Sequence, residues 1–389
     1  MNKRKICFII TSLIHYSRNF LILDALKKRK DVKLHIILGG VAILPRYVSK
    51  YFNVKEILEK EGHKNIYDIY FNVEGDTHVV KAKTTGMGVI EFASIFNILK
   101  PDLVVVRGDR FEMLSAAVAA ANMNITLAHI EGGDISGTID ESIRHAITKL
   151  SHYHFTTNED SKKRVIRMGE NIRRVFNFGS PDLEVVEKIS KKKLSIKEIN
   201  LSKFGSGAEF DQDGNFLMVM YHPITSETEM MAENTRNLLE AIYELGIQTL
   251  WFWPNFDVGA EKISHELRSF REVTKDHKIR FLRYLPPKEF LSLLIKTKCL
   301  VGNSSSGIKE CSYLGIPVVN VSSRQNGRLK PKNVVSCGNK KSEIVSAMRK
   351  QIKRGNYKPC KIYCGKDTSK KISEVLSNCK LVIQKRFED

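Results

Sequence analysis

The sequence predicts an α/β protein with two Rossmann-like, doubly wound domains that face a cleft, and three observations favour this class. Near-continuous apolar runs, such as KICFIITS at residues 5–12, alternate with segments of helical period, as in parallel sheets buried on both faces. This alternation occurs twice, on either side of a Gly-, Ser- and Lys-rich stretch at about residues 180–215. The 389 residues also exceed the length at which one core usually keeps growing.

The first half follows the βαβ order that right-handed crossovers require. After the opening strand, the predicted strands are 33–40, 102–109 and 125–133, and the predicted helices are 20–32, 91–100, 113–123 and 142–154. His152 and His154 also occupy alternate positions typical of one strand face. These elements predict a first domain over residues 1–185.

The second half repeats the pattern. Its predicted strands are 215–223, 248–255, 278–287, 299–305 and 316–323, and its predicted helices are 233–246, 288–297 and 307–315. They predict a second, nucleotide-diphosphate-binding domain over residues 186–370. The last segment, 371–389, has an amphipathic period, and we expect one helix there that packs back on the first domain.

The composition excludes several classes of protein. At 42% hydrophobic and 27% charged residues the chain is globular, and no apolar run reaches the ~20 residues that cross a bilayer. We therefore expect a cytoplasmic protein with no membrane partner, and the seven cysteines, odd in number, fit reduced thiols. The formal charge of +20 indicates an anionic partner, but the Lys-rich stretches contain few aromatic residues for stacking on bases. A solvated Lys-rich surface is thus favoured over a nucleic-acid groove, and the charge by itself does not choose among nucleic acid, anionic lipid and a phosphorylated small molecule.

Ligands of open parallel sheets bind beyond the carboxyl ends of the strands. At one such end, VGNSSSGIKE (residues 301–310) leads from a buried strand into a helix through small polar residues. Backbone N–H groups and hydroxyls there suit a diphosphate, and a serine-rich N-cap is the structural alternative.

Three carboxylates follow strands of the first half. Asp109 and Glu131 stand at the ends of neighbouring predicted strands, and Asp140 lies in the first turn of a helix whose start Thr138 and Glu141 can cap. We expect Arg144 on the same helix face as Asp140, opposite the apolar stripe Ile139, Ile143, Ala146, Ile147 and Leu150. Converging acids can divide acid and base roles; the alternative is simple ion pairing with Arg107, Arg110 and Arg144.

His222 ends another buried strand, where it can donate to a leaving phosphate or shuttle a proton; a structural role is the alternative. The sequence has no HExxH motif and no pair of Cys pairs, so no metal site is predicted.

These segments together resemble the UDP-N-acetylglucosamine 2-epimerases, and in particular the hydrolysing branch that makes N-acetylmannosamine for sialic-acid-type (nonulosonic acid) synthesis. The resemblance covers roughly residues 5–350 and is carried by RGDRFE (107–112), HIEGGDISGTIDESIRHAITKLSHYHF (129–155), YHPIT (221–225), WPNFDVG (253–259), GNSSSGIKE (302–310) and IPVVNVSSRQNGR (316–328). It implies a glycosyltransferase B-type fold, a homodimer or homotetramer, and catalysis without metal or NAD.

The resemblance also implies roles for residues. Asp109, Glu131 and Asp140 become the acid and base carboxylates, and His222 lies near the diphosphate. The substrate-binding residues implied are Arg18, Arg110, Arg144, Asn255, Asp257, Ser304, Ser305, Gly307, Glu310 and Arg324.

The first loop, TSLIHYSR (11–18), departs from the family pattern. Leu13 stands where the family has Arg, His15 replaces an acid, and Arg18 replaces a Lys. This departure leaves two alternatives open: the same reaction on a UDP- or GDP-linked 2,4-diacetamido-2,4,6-trideoxy sugar of the legionaminic acid type, and a nucleotide-sugar binder without activity. A glycosyltransferase, which would need the same fold and a nucleotide loop, is the third alternative.

Overall fold

The computed structural model describes residues 3–45, 53–191, 196–274 and 278–388, which divide into two units. The first unit comprises residues up to Asp134, residues Ile139–Val185 and the chain from Tyr363 onward. The second unit comprises Ile135–Thr138 and Val186–Ile362. The first unit is thus assembled from three separate pieces of chain.

A parallel sheet of seven strands forms the centre of the first unit, in the order β3-β2-β1-β4-β5-β6-β7. These strands are β1 (Arg4–Ile10), β2 (Val32–Leu38), β3 (Ile66–Asp68), β4 (Leu103–Arg107), β5 (Thr126–Ile130), β6 (Tyr153–Thr156) and β7 (Val175–Asn177). The reversal of strand order between β1 and β4 marks the position at which doubly wound sheets bind ligands.

Helices cover both faces of this sheet. They are α1 (Leu13–Lys27), α2 (Val54–Lys60), α3 (His78–Leu99), α4 (Phe111–Asn122), α5 (Asp140–Leu150), α6 (Glu159–Arg167) and α7 (Pro181–Ser190), of which the residues from Val186 onward belong to the second unit. Alternate residues of β1 enter different cores: Phe8 packs in the core with α1, and Ile9 packs in the core with α3 and α4. The predicted helix 142–154 is wrong beyond Leu150, because Tyr153 already pairs with β5 as a strand residue.

The second unit contains another seven-stranded sheet, in the order β14-β13-β12-β9-β10-β11-β8. Its strands are β8 (Gly205–Gly207), β9 (Phe216–Met220), β10 (Gln248–Phe252), β11 (Ile279–Leu282), β12 (Cys299–Gly302), β13 (Val318–Val321) and β14 (Val334–Cys337). All pairs are parallel except β8 with β11 at one edge. The predicted α/β class with two Rossmann-like sheets is therefore confirmed.

The helices of the second unit are α8 (Met231–Leu245), α9 (Ala260–Val273), α10 (Pro287–Lys296), α11 (Ser305–Ile308), α12 (Glu310–Leu314) and α13 (Lys341–Arg354). Apolar side chains of α8, α9 and α13 pack around the buried Trp251 in one core. The helix predicted at 307–315 is divided into α11 and α12. In the described part of the chain, no helix is both long enough and apolar enough to cross a membrane.

The end of the chain returns to the first unit. Helix α14 (Thr368–Asn378) packs on α1 and places Ile372 and Leu376 in the core of the first unit. The prediction of one helix over 371–389 is wrong, because the helix ends at Asn378. Residues 380–388, the C-terminal tail, are not helical; there the hydroxyl of Thr126 donates to the carbonyl of Val382 (3.0 Å) and accepts from its amide (2.9 Å). The second unit ends at Ile362 rather than at the predicted residue 370.

Candidate active site

The acids Asp109 and Glu131 follow adjacent parallel strands. Arg107 at the end of β4 is in register with Ile130 at the end of β5, and the amide of Gly108 donates to the carbonyl of Ile130 at 2.9 Å. Gly108 has φ +80°, which lets the chain turn at once after the strand. Both acids are thus at the carboxyl edge of the sheet, as the sequence predicts.

A neutral, buried histidine, His129, is bonded to the turn at this edge. Burial lowers the pKa of His129 to about 3, so the ring is uncharged. Its Nε2–H donates to the carbonyl of Gly108 at 2.8 Å, and Nδ1 accepts from the Thr148 hydroxyl at 3.1 Å. His129 therefore fixes the turn that carries Asp109.

Glu131 is held by a buried cation. Its backbone has φ +69°, uncommon for a residue with a side chain, and its carboxylate lies 3.1 Å from Nη2 of Arg107. Arg107 is 2% exposed, and the same Nη2 donates to Asp182 at 2.7 Å. Sequence reasoning named Arg107 as a possible ion partner and missed Asp182, although Asp182 also follows a strand of the sheet.

Arg144 pairs with Asp109, and its position corrects the prediction. Arg144 is 2% exposed, its Nη2 donates to Asp109, and its Nη1 donates to the carbonyl of Asp134 at 2.8 Å. The buried face of α5 therefore contains Arg144 with Ile147, whereas the predicted stripe residues Ala146 and Ile139 are exposed. Carboxylate and carbonyl acceptors make this burial of an arginine possible.

Asp140 is the first residue of α5 and is half-buried. It lies in the first turn of α5, at the positive end of the helix dipole. The buried carboxylate of Asp134, which sequence reasoning missed, accepts from Asn158 (3.1 Å) and from Ser161 and so anchors the loop before α5.

The remaining predicted residues of the first unit lie around β1 and β4. Arg110 donates to the buried Glu112 at 3.0 Å, and Arg18 lies 4.0 Å from Asp182. His15, near the start of α1, bonds Thr11 through Nδ1 at 2.9 Å. Burial and the nearby cations of Arg110, Arg18 and Arg107 hold the pKa of His15 well below its usual value, so this ring is neutral.

In the second unit, His222 follows β9 and is fixed on three sides. Its amide donates to Oδ1 of Asn303 at 2.7 Å, its carbonyl accepts from Nδ2 of Asn303 at 2.9 Å, and its Nδ1 accepts from the amide of Asn255 at 3.3 Å. A neutral His222 therefore has its proton on Nε2. The Asn255 side chain in turn donates to the buried Asp257 at 2.5 Å.

The predicted phosphate loop follows β12. Ser304 caps α11 by accepting from the amide of Ser306 at 3.3 Å, and the Ser306 hydroxyl donates to Glu310 at 3.3 Å. Ser305 begins α11. Gly307 has a packing role, because a Cβ there would lie 2.9 Å from a methyl group of Val318.

Asn303 connects this loop to its neighbours, and sequence reasoning missed it. Besides its two bonds with His222, its carbonyl accepts from Arg324 at 3.1 Å and from Gln325 at 2.9 Å. Since β13, β12, β9 and β10 are adjacent in the sheet, the predicted residues of the second unit share one carboxyl edge. An asparagine inside a small polar loop was the available signal, because its side chain both donates and accepts.

Within the described ranges, no group of three or more His, Cys, Asp or Glu side chains has an arrangement that could hold a metal ion.

Comparison with known proteins confirms the resemblance. The family model described as UDP-N-acetylglucosamine 2-epimerase matches residues 24–377. Over 380 residues, 97% of each protein, the chain is 32% identical to a Legionella pneumophila protein named UDP-N,N'-diacetylbacillosamine 2-epimerase (hydrolyzing). Over 376 residues, 95% of this chain and 94% of the relative, it is 31% identical to UDP-N-acetylglucosamine 2-epimerase of Neisseria meningitidis serogroup B.

A solved structure supports the fold. The crystal structure of Methanocaldococcus jannaschii UDP-GlcNAc 2-epimerase in complex with UDP-GlcNAc and UDP superposes with a TM-score of 0.76, covering 96% of this chain and 99% of that one. The sequence identity is 20%, so the likeness is one of fold.

Proposed function

The chain belongs to the UDP-N-acetylglucosamine 2-epimerase family, and from this premise we propose that it is a hydrolysing nucleotide-sugar 2-epimerase. The simplest reaction converts UDP-N-acetylglucosamine and water to N-acetylmannosamine and UDP. The observation that carries the proposal is the set of three carboxylates, Asp109, Glu131 and Asp140, at or beside one sheet edge, two of them paired with buried arginines.

The reaction has two halves. A base removes the C2 proton, the electron pair forms the C1–C2 double bond, and the C1–oxygen bond breaks so that UDP leaves. Water then adds to C1 of the resulting 2-acetamidoglucal, and an acid returns a proton to the other face of C2. The C2 proton is weakly acidic, so the rate depends on an aligned base and on stabilisation of the leaving diphosphate.

The first unit supplies the proton chemistry in this proposal. A base that takes a proton from carbon must be ionised, and a nearby cation favours the ionised carboxylate. Arg144 supplies that cation to Asp109, and Arg107 supplies it to Glu131. Asp140, the first residue of α5, is half-buried.

The second unit supplies the nucleotide site. His222, with Nδ1 occupied by the Asn255 amide, presents Nε2–H as a donor to the leaving diphosphate. Ser304, Ser305 and Glu310 would hold the phosphates and ribose, and Arg324 is fixed beside them by the carbonyl of Asn303.

A proton NMR time course in deuterated water tests the reaction. With UDP-N-acetylglucosamine we expect free N-acetylmannosamine that carries deuterium at C2, together with UDP. Asp140→Asn should lower kcat by at least about 100-fold, the usual size of a lost acid–base group. The matched control is Asp160→Asn, which removes an exposed carboxylate at the start of α6 and should leave kcat unchanged.

Two results would overturn the proposal. Binding of nucleotide sugars without turnover of any of them would make the chain a binder. Release of UDP only when an acceptor sugar is added would make it a glycosyltransferase.

The first loop, residues 11–18, favours a second candidate substrate, the nucleotide-linked diacetamido sugar. Leu13 is half-buried against the core beside β1, and the neighbouring Ile14 is 45% exposed. Such an apolar pair suits a 6-deoxy sugar, in which C6 is a methyl group, and the Legionella relative is named for UDP-N,N'-diacetylbacillosamine. If the diacetamido sugar is the substrate, its kcat/KM exceeds that of UDP-N-acetylglucosamine. The variant Leu13→Arg should then lower the ratio of these two kcat/KM values. Equal ratios in the wild type and in Leu13→Arg would exclude a role of Leu13 in the choice of sugar.

A further inference from the structure

Glu131 shares its cation with a second acid, and this sharing points to a residue that acts on the reaction without touching substrate. On the basis of the function proposed above, we propose that Asp182 is a positioning residue that, through Arg107, fixes the orientation and the charge balance of Glu131. Asp182 belongs to α7 and lies 51 residues after Glu131 in the sequence, so its role depends entirely on the fold.

The geometry couples the two carboxylates through one nitrogen. Nη2 of Arg107 donates to Asp182 at 2.7 Å and lies 3.1 Å from Glu131. Nη1 of Arg107 donates to the carbonyl of Arg18 at 2.5 Å and to Oδ1 of Asn19 at 3.2 Å. The guanidinium therefore cannot rotate without breaking bonds to α1, and the position of Glu131 is fixed with it.

Burial gives the arrangement its strength. The side chains of Arg107 and Asp182 are both 3% exposed, and that of Glu131 is 10% exposed. Solvent therefore screens the interactions weakly. Asp182 therefore offsets part of the positive charge that Arg107 presents to Glu131, and without Asp182 all of that charge acts on Glu131.

Other charged and titratable groups face the cluster from three sides. Helix α1 contributes Arg18, 4.0 Å from Asp182, and the neutral His15. The turn after β4 contributes Arg110, whose charge is compensated by the buried Glu112, and β5 contributes the neutral His129. Because Arg18 lies 4.0 Å from Asp182, the change Asp182→Asn removes an anion from beside Arg18 as well as from Arg107.

The direction of the effect follows from charge. In Asp182→Asn the full positive charge of Arg107 acts on Glu131, so proton binding to Glu131 becomes less favourable. We expect the acidic limb of the kcat profile to move to lower pH by about one unit. A weaker base should lower kcat about tenfold, while KM changes less than about threefold because Asp182 does not touch substrate.

The variants are compared in kcat and KM from pH 5 to pH 9. Asp182→Glu keeps the charge and should restore the wild-type profile, even if kcat stays lower. Asp160→Asn, the exposed control, should behave as wild type. A fall of kcat in Asp182→Asn with an unmoved pH profile would show a purely structural role and overturn the proposal.

A double-mutant cycle of melting temperatures, the thermal cycle, tests whether Asp182 and Glu131 share the cation of Arg107, and it does not rely on activity. Asp182→Asn and Glu131→Gln each leave Arg107 with one anion, whereas the double variant leaves a buried guanidinium with none. The melting temperature of the double variant should fall by several degrees more than the two single decreases combined. Additive decreases would overturn the proposal.

The kinetic pH profile and the thermal cycle together distinguish failure of the proposed function from failure of the proposed role of Asp182. If the wild-type protein turns over no nucleotide sugar, the proposed function fails, while a non-additive thermal cycle still supports the coupling of Asp182 to Glu131. If turnover occurs with an additive cycle and an unmoved profile, the function stands and the role of Asp182 is rejected.

Discussion

Replacing Glu170 with glutamine should destabilise the first unit measurably at neutral pH. Glu170 is buried between β6 and the C-terminal tail, where it accepts from Lys385 at 2.7 Å and from His154 at 3.0 Å and lies 2.7 Å from Lys149. Burial lowers the pKa of His154, so this ring donates as a neutral group. Glutamine keeps the shape of the side chain and removes the anion that holds both lysines.

The magnitude follows from the ionisation of Glu170. Burial opposes ionisation, but the bonds from His154, Lys149 and Lys385 outweigh it and lower the pKa from 4.5 to about 2. Such a difference corresponds to about 3 kcal/mol of stabilisation. Because Lys149 is 40% exposed and partly screened, we expect a loss of about 2 kcal/mol, or roughly 4–8 °C in the melting temperature of a unit of this size.

Calorimetry at several pH values tests this expectation. The folded pKa lies below the unfolded one, so the stabilisation is complete above about pH 5 and is lost as the pH falls toward 2. The difference between wild type and Glu170→Gln should therefore be constant from pH 8 to pH 5.5 and smaller at pH 4. Glu59→Gln, an exposed change on α2, is the control. Equal melting temperatures at pH 7.5, or a difference that grows toward acid pH, would refute the reasoning.

Three further predictions concern the second unit and the thiols. Gly302→Ala should give little soluble protein, because φ is +130° and a Cβ would lie 2.2 Å from a main-chain oxygen of β9. The control is Gly246→Ala, where φ is +62° and the space around a Cβ is open; it should lower the free energy of unfolding by only about 1 kcal/mol. Asn303→Leu removes both side-chain bonds to His222 and should lower the melting temperature and raise KM at least severalfold, measured by calorimetry and steady-state kinetics; an unchanged KM would contradict this. A thiol reagent should label the partly exposed cysteines of the native protein before three buried ones, which it should reach only after unfolding, because burial raises the pKa of Cys7 and Cys299 to about 12. The three protected cysteines are expected to be Cys7, Cys299 and Cys311.

The strands and their edge were predictable because apolar runs and turn chemistry are local. Residues 102–109 contain a Val-rich run ending in Gly-Asp, and the structure places a buried strand and an accessible acid there. The same reasoning located His222 and the serine loop after β12. In each case the information lies within about ten consecutive residues.

Pairings across the fold were not predictable. The helical pattern of α5 assigns Arg144 to the solvent face, since an arginine is rarely buried. The carbonyl of Asp134 and the carboxylate of Asp109, which follows β4, make its burial favourable. Asp182 and Arg107 are 75 residues apart, and no local pattern connects them. The end of α14 was missed because the tail retains an apolar period although its backbone bonds to β5.

The three-piece construction of the first unit has a consequence for biosynthesis. On the ribosome, the whole of Val186–Ile362 is translated before the segment that contains Ile372 and Leu376 emerges. At about 5–20 residues per second, the nascent first unit therefore exposes the apolar surface of α1 for roughly 10–40 s. During this interval the second unit can complete its own sheet. The need for chaperones and the extent of co-translational aggregation should thus depend on how soon α14 is translated.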